Sequence, residues 1–140
     1  IYVDYAHTPD ALQKILQNFT YMKNKPNIVF GCGGERDKFK RLKMGFIANK
    51  YANKVYITDD NPRNENPKKI REEIKQKCKK GLEIEDRKTA IITAINDLKA
   101  KEILIIAGKG HEKYQYIKNK IIKFSDINVA EKALFQKLSQ

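Results

Sequence analysis

Four short stretches of this chain combine turn-forming residues with side chains that turns do not require. They are DYAHTPD at 4–10, GCGGERDKFKR at 31–41, TDDNPRNENP at 58–67 and AGKGHEKYQ at 107–115. Glycine, asparagine, proline and aspartate suffice to build loop geometry. Arg36, Arg63 and Glu112 are additions to it. A guanidinium is a planar fork of donors that fits a carboxylate or a phosphate. A carboxylate such as Glu112 accepts from an ammonium, while Asp59 and Asp60 are candidates to hold Arg63, orient a cation or bind backbone N–H groups.

In the second stretch Gly31, Gly33 and Gly34 have the wrong spacing for GxGxxG, and no GK[ST] closes a phosphate loop. The stretch is either a close backbone approach that presents Arg36 or a plain strand-to-helix turn with exposed charges. In the third, Asn61-Pro62 fixes a turn that aims Arg63, beside Asp59 and Asp60. The alternative is an Asx turn that caps the next helix and leaves Arg63 in solvent. In the fourth, Gly108 and Gly110 free the backbone ahead of Glu112, while Lys109 and His111 are candidate phosphate or water contacts. In the first, Asp4 stands where an acid suits a pair of ribose hydroxyls, and His7 is either a contact or packing beside a helix cap.

These loops follow apolar, β-branched runs at 1–3, 27–31, 54–58 and 102–107, with a weaker candidate at 81–85. None alternates cleanly, which is the pattern of strands buried on both faces of a parallel sheet. Helical stripes lie between them. Thr8-Pro9 and Asn66-Pro67 read as N-cap and first helical residue. The stripes are Ala11, Leu12, Ile15, Leu16 and Phe19; Met44, Ile47, Ala48 and Tyr51; Ile70 and Ile74; and Ala90, Ile91, Ala94, Ile95 and Leu98. A fifth, capped by Ser125 or Asp126, carries Val129, Ala130, Ala133, Leu134 and Leu138. Residues 114–124 read as a hairpin turning at Lys118-Asn119-Lys120. The fold class is α/β, a Rossmann-like, mostly parallel sheet with helices on both faces and one late antiparallel strand or hairpin. Tyrosines and phenylalanines at helical or strand positions are expected in the core. Ligands of such sheets lie outside the carboxyl ends of the strands, where all four unusual loops fall.

The chain has 140 residues, 41% hydrophobic and 33% charged, which reads as one domain spanning 1–140 with a core of its own. No apolar run reaches the roughly 18 residues of a membrane span, so no membrane insertion is expected. The start has no signal-peptide pattern and no initiator Met, and the expectation is a piece of a longer chain. Cys32 and Cys78 have no zinc or disulfide spacing, as suits a reducing cytoplasm. The net charge of +12 favours anionic partners. A nucleic-acid module is the rival reading, but no aromatic RNP motif, recognition helix or GXXG clamp is present. Mixed into the glycine loops are acids that would repel a phosphate chain.

VDYAHTPDAL, FGCGGERDK, TDDNPR and AGKGHE, in that order and over residues 1–129, closely resemble the C-terminal domain of the Mur ligases, in the branch that adds meso-diaminopimelate. The chain departs from the family's usual pattern at Glu35, commonly Asp, and at Phe39, commonly Gly. The resemblance implies a three-domain, ATP-dependent, cytoplasmic ligase of peptidoglycan synthesis. Its N-terminal and central ATPase domains would lie elsewhere, and the latter would carry the P-loop and the main Mg2+ ligands. The implied partners are meso-diaminopimelate, ATP, UDP-MurNAc-L-Ala-D-Glu and those other domains. No catalytic group or metal ligand is implied within these residues. By the same resemblance Asp4 and His7 face ATP. Arg36, Asp60, Asn61, Pro62, Arg63, Gly108 and Glu112 face diaminopimelate. That amino acid has two ammonium and two carboxylate groups, so two forks and an acid are the expected complement. The lysine-adding relatives lack the Arg of this motif.

Overall fold

The computed structural model describes all residues, 1–140. Five strands form one parallel sheet: β1 (Tyr2–Asp4), β2 (Asn27–Phe30), β3 (Val55–Ile57), β4 (Leu82–Glu83) and β5 (Leu104–Ala107), in the order β1-β5-β2-β3-β4. Alternate residues serve the two faces. Ile28, Phe30, Val55, Ile57, Ile105 and Ala107 join one buried cluster, while Val29, Tyr56, Leu104 and Ile106 join the other. Both faces are apolar because both are covered, which is why the sequence shows continuous runs.

Helices α1 (Pro9–Gln17), α2 (Phe39–Tyr51) and α3 (Pro67–Lys75) cover the first face. Helices α4 (Arg87–Asp97) and α5 (Asp126–Leu138) cover the second. The expected caps form: Thr8, Asn66 and Ser125 each accept a backbone N–H from the first turn of the helix they precede. At the α2–α3 crossing a Cβ on Gly45 would lie 2.2 Å from the Ile74 carbonyl oxygen, so only glycine lets these helices approach so closely.

Three expectations need correction. The hairpin, β6 (Tyr114–Ile117) with β7 (Lys120–Lys123), is a separate antiparallel pair and adds no strand to the main sheet. The fifth stripe is half right, since Ala130 and Ala133 are buried against α4 but Leu134 and Leu138 are exposed. Many aromatics are not core: Tyr2, Tyr5, Tyr21, Phe39, Phe46, Tyr114, Tyr116 and Phe135 are all exposed. Periodicity identifies residues that share a face, and it does not identify what covers them.

Because every strand of the main sheet is parallel, the loops after β1, β2, β3 and β5 emerge at one edge. The chain leaving β1, β2 or β3 turns to the first face, while the chain leaving β5 continues through the hairpin to α5 on the second. Such a divergence opens a crevice at the carboxyl ends of the strands.

Candidate functional site

The loop after β2 lies directly on the loop after β3. A Cβ on Gly31 would lie 2.1 Å from the Thr58 carbonyl oxygen, and one on Gly34 would lie 1.9 Å from that of Pro62. The two glycines are therefore demanded by close backbone approach. Across this junction the Gly34 N–H donates to the Asn61 carbonyl at 2.9 Å.

Arg63 stands at the end of the DNPR turn with φ +53°, a left-handed conformation uncommon for a bulky residue. Its Nη1 donates to the carbonyls of Gly34 (2.9 Å) and Asn61 (3.3 Å). Neither Nε nor Nη2 has a partner within the chain. Arg36 is exposed and Nη1 reaches only the Glu35 carbonyl, at 3.2 Å. A Cβ on Gly33 would meet Arg63 Nη1 at 3.0 Å and Arg36 Cγ at 3.5 Å, so the two arginines flank one glycine.

Beside them is an acidic and amide cluster built on Lys109. This ammonium is fully buried at the end of β5. It lies 3.0 Å from Asn61 Oδ1, 3.3 Å from Glu112 Oε2 and 3.6 Å from Asp60 Oδ1. Asn61 Oδ1 also accepts the Tyr116 N–H at 3.1 Å. Gly108, at φ +114°, lets the Asp60 carboxylate come close, since a Cβ there would be 3.0 Å from Oδ2. Arg36, Asp60, Asn61, Pro62, Arg63, Gly108 and Glu112 thus lie on loops in mutual contact.

Asp4 and His7 are on the other flank of the β5 loop. Asp4 Oδ1 accepts the Ala6 N–H at 2.7 Å, which leaves Oδ2 without a partner. His7 is exposed, with Nδ1 2.9 Å from the Tyr5 carbonyl, and its ring meets Tyr5 edge-on at 4.7 Å. Tyr5 in turn stacks on His111 at 6.3 Å. No side-chain contact joins Asp4 or His7 to Arg36 or Arg63. No group of three or more His, Cys, Asp or Glu side chains is placed to hold a metal ion.

The residues that fix these loops were not singled out from sequence. Arg41, fully buried in the first turn of α2, donates to Glu65 at 2.8 and 2.9 Å, to Glu73 at 2.9 Å and to the Gly33 carbonyl at 3.0 Å. These hydrogen bonds hold the Glu65 carboxyl down at about 2. Arg71 pairs with Asp59 and with Glu83; burial still pushes the Asp59 carboxyl up. Arg87 and Asp126 form a fully buried bidentate pair at 2.7 and 2.8 Å, and Arg87 also donates to the Ala107 carbonyl at the end of β5. A signal for them existed. Of 29 basic residues only Arg36, Arg41, Arg63, Arg71 and Arg87 are arginines, and all five serve this edge of the sheet.

Residues 1–110 match the family model for the Mur ligase, glutamate ligase domain. The chain belongs to the Mur ligase family. This Mur ligase domain is 52% identical over 139 residues, 96% of its own length, to the UDP-N-acetylmuramoyl-L-alanyl-D-glutamate–2,6-diaminopimelate ligase of Rickettsia rickettsii. It is 49% identical to the enzyme of the same name from Buchnera aphidicola, over 99% of its length. A solved structure of a ligase of that name superposes with a TM-score of 0.91 at 41% identity, covering 97% of the domain. The domain spans 29% of the length of each of these three proteins. A structure of Escherichia coli FolC with ADP matches at 17% identity and a TM-score of 0.59, which extends the likeness of fold alone. No helix is long and apolar enough to cross a membrane.

Proposed function

We propose that residues 1–140 are the amino-acid-binding C-terminal domain of a longer, cytoplasmic, ATP-dependent ligase that adds meso-diaminopimelate to UDP-MurNAc-L-Ala-D-Glu. The observation that carries this reading is the pairing of Arg63 and Arg36 across Gly33, next to Asp60 and Glu112. Two guanidinium forks with unspent donors suit two carboxylates. Asp60 and Glu112, which each turn one oxygen toward Lys109 and keep the other free, suit an ammonium. The names of the relatives supply the substrate that combines those groups.

In this reading Arg63 gives discrimination. It would hold the distal carboxylate, which lysine lacks, and lysine would leave its donors unpaired in the pocket. Losing a required polar partner costs as much as about 10⁴-fold in specificity. Asp4, with one free carboxylate oxygen at the end of β1, suits a ribose hydroxyl of ATP, and His7 borders the same place. The reaction activates the D-glutamate side-chain carboxylate by phosphoryl transfer from ATP. An amine of diaminopimelate then attacks the acyl phosphate carbonyl, forming the amide and releasing phosphate. Mg2+ would screen the phosphate charge and takes its main ligands from outside these residues. The part of this domain is proximity: it delivers the amine in a fixed pose.

The test is amino-acid addition by the full-length ligase with ATP, Mg2+ and UDP-MurNAc-L-Ala-D-Glu, comparing meso-diaminopimelate with L-lysine. A strong preference for diaminopimelate that collapses in Arg63→Ala and Arg63→Lys is expected. Equal or better use of lysine would overturn the specificity assignment.

A further inference from the structure

The β6–β7 hairpin has no role in the reading above, yet its first strand is fastened along the whole DNPR turn. Gln115 Nε2, buried, donates to the Asp60 carbonyl at 2.7 Å. The Tyr116 N–H donates to Asn61 Oδ1 at 3.1 Å. The Arg63 N–H donates to the Tyr116 carbonyl at 3.0 Å, and the Lys118 N–H donates to the Arg63 carbonyl at 2.7 Å. Both main-chain groups of Arg63 are therefore held by the hairpin, in a parallel bridge with Ile117.

That fastening coincides with the left-handed backbone of Arg63. Such a conformation persists in a non-glycine residue only where the surroundings over-determine it. Here the surroundings are β6 on one side and the Gly34 carbonyl on the guanidinium on the other. Lys118, whose N–H holds the Arg63 carbonyl at 2.7 Å, is itself left-handed at φ +53°.

We infer that the hairpin is a specificity-determining clamp: through Gln115 of β6, which holds the Asp60 carbonyl of the same turn, and through the N–H of Lys118 just after β6, it sets the pose of Arg63 that recognises the second carboxylate of the amino acid. Gln115 and Lys118 are positioning residues and touch no substrate. The inference rests on the diaminopimelate reading of Arg63.

It is tested in the full-length ligase with Gln115→Leu, which keeps the side chain's bulk and removes the donor, and with Lys118→Pro, which removes the N–H and forbids the positive φ. Each is combined with Arg63→Ala in a double-mutant cycle. The clamp predicts that Gln115→Leu raises KM for diaminopimelate by at least about tenfold, toward the roughly 100-fold that a 1 Å misplacement can cost. KM for ATP and the use of lysine stay unchanged. On the Arg63→Ala background the same substitution has no further effect, because the group it positions is gone. Lys118→Pro should behave likewise, and Gln115→Leu decides the matter if the proline variant does not fold. Effects that fall equally on lysine and diaminopimelate, or that add fully to Arg63→Ala, would overturn the clamp while leaving the proposed substrate intact. A wild-type ligase that adds no diaminopimelate would overturn the substrate reading itself, and the clamp with it.

Discussion

Asp126→Ala is expected to destabilise this domain more than any single surface change. Asp126 and Arg87 are both fully buried, and the carboxylate takes two hydrogen bonds at 2.7 and 2.8 Å. Truncation leaves Arg87 with the Ala107 carbonyl at 3.0 Å and a long contact to the Asp59 carbonyl at 3.4 Å. Its positive charge then has no counter-charge in contact. Removing one partner of a buried ion pair costs about 3–5 kcal/mol. Unfolding entropy of about 2 cal/mol/K per residue gives roughly 0.3 kcal/mol/K for a chain of 140 residues. The thermal midpoint should therefore fall by about 10–17 °C. The assay is reversible thermal unfolding followed by far-ultraviolet circular dichroism. Arg87→Met with Asp126→Leu should recover part of the loss, since it removes the unpaired buried charge and fills the space with apolar side chains of similar volume. Breaking the exposed Lys68–Glu72 pair is the control and should move the midpoint by less than about 2 °C. A drop below about 3 °C for Asp126→Ala, or a double variant less stable than the single, would refute the reasoning.

Two further predictions concern the loop junction. Glu65 is held at about 2, below its ordinary 4.5, chiefly by hydrogen bonds from Arg41. A depressed carboxylate contributes stability that is complete above the unfolded value and lost as pH falls through the folded one. Unfolding midpoints measured in urea should thus fall between about pH 4.5 and 2, with a contribution of up to about 3 kcal/mol, and Glu65→Gln should flatten that slope. Gly34→Ala places a methyl 1.9 Å from the Pro62 carbonyl oxygen; it should cost at least about 1–3 kcal/mol in the same denaturation experiment, and an unchanged midpoint would show that the junction can yield.

The fold was legible because its signals are local. Thr8-Pro9, Asn66-Pro67 and Ser125 terminate helices by chemistry written in adjacent residues. The doubly covered strands announce themselves as unbroken β-branched runs. What escaped was long-range. Nothing near Arg87 in sequence indicates that its partner is 39 residues away at the start of α5. Nothing near Lys109 shows that its side chain turns inward onto Asn61 rather than outward as a phosphate contact. In α5 the sequence offered Leu134 and Leu138 as core, but the small Ala130 and Ala133 take the contact with α4, and the leucines fall on the flank. Arg36, Arg63 and Glu112 stood out because turn chemistry does not call for them, whereas Asp60, Asn61, Pro62 and Gly108 were joined to them by the family resemblance. The residues beneath them were missed because a buried arginine in a lysine-rich chain looks like one more surface charge.

That distinction weighs against taking the net charge of +12 as the mark of a nucleic-acid surface at this edge. Three of the five arginines have already spent their charge inside the protein: Arg41 on Glu65 and Glu73, Arg71 on Asp59 and Glu83, and Arg87 on Asp126. They fix the loops before any ligand arrives, which lowers the ordering cost of binding. The donors left over belong to Arg36 and Arg63, and on the adjoining loops are Asp60 and Glu112, two carboxylates that share the single buried charge of Lys109. A polyphosphate laid across this edge would meet those acids, at a cost that the two forks must offset. A zwitterion with carboxylates and ammonium groups at its ends meets a partner of opposite sign at each. In the function proposed above, selectivity comes from alternation of charge, and the fastened backbone of Arg63 turns that alternation into a fixed spacing.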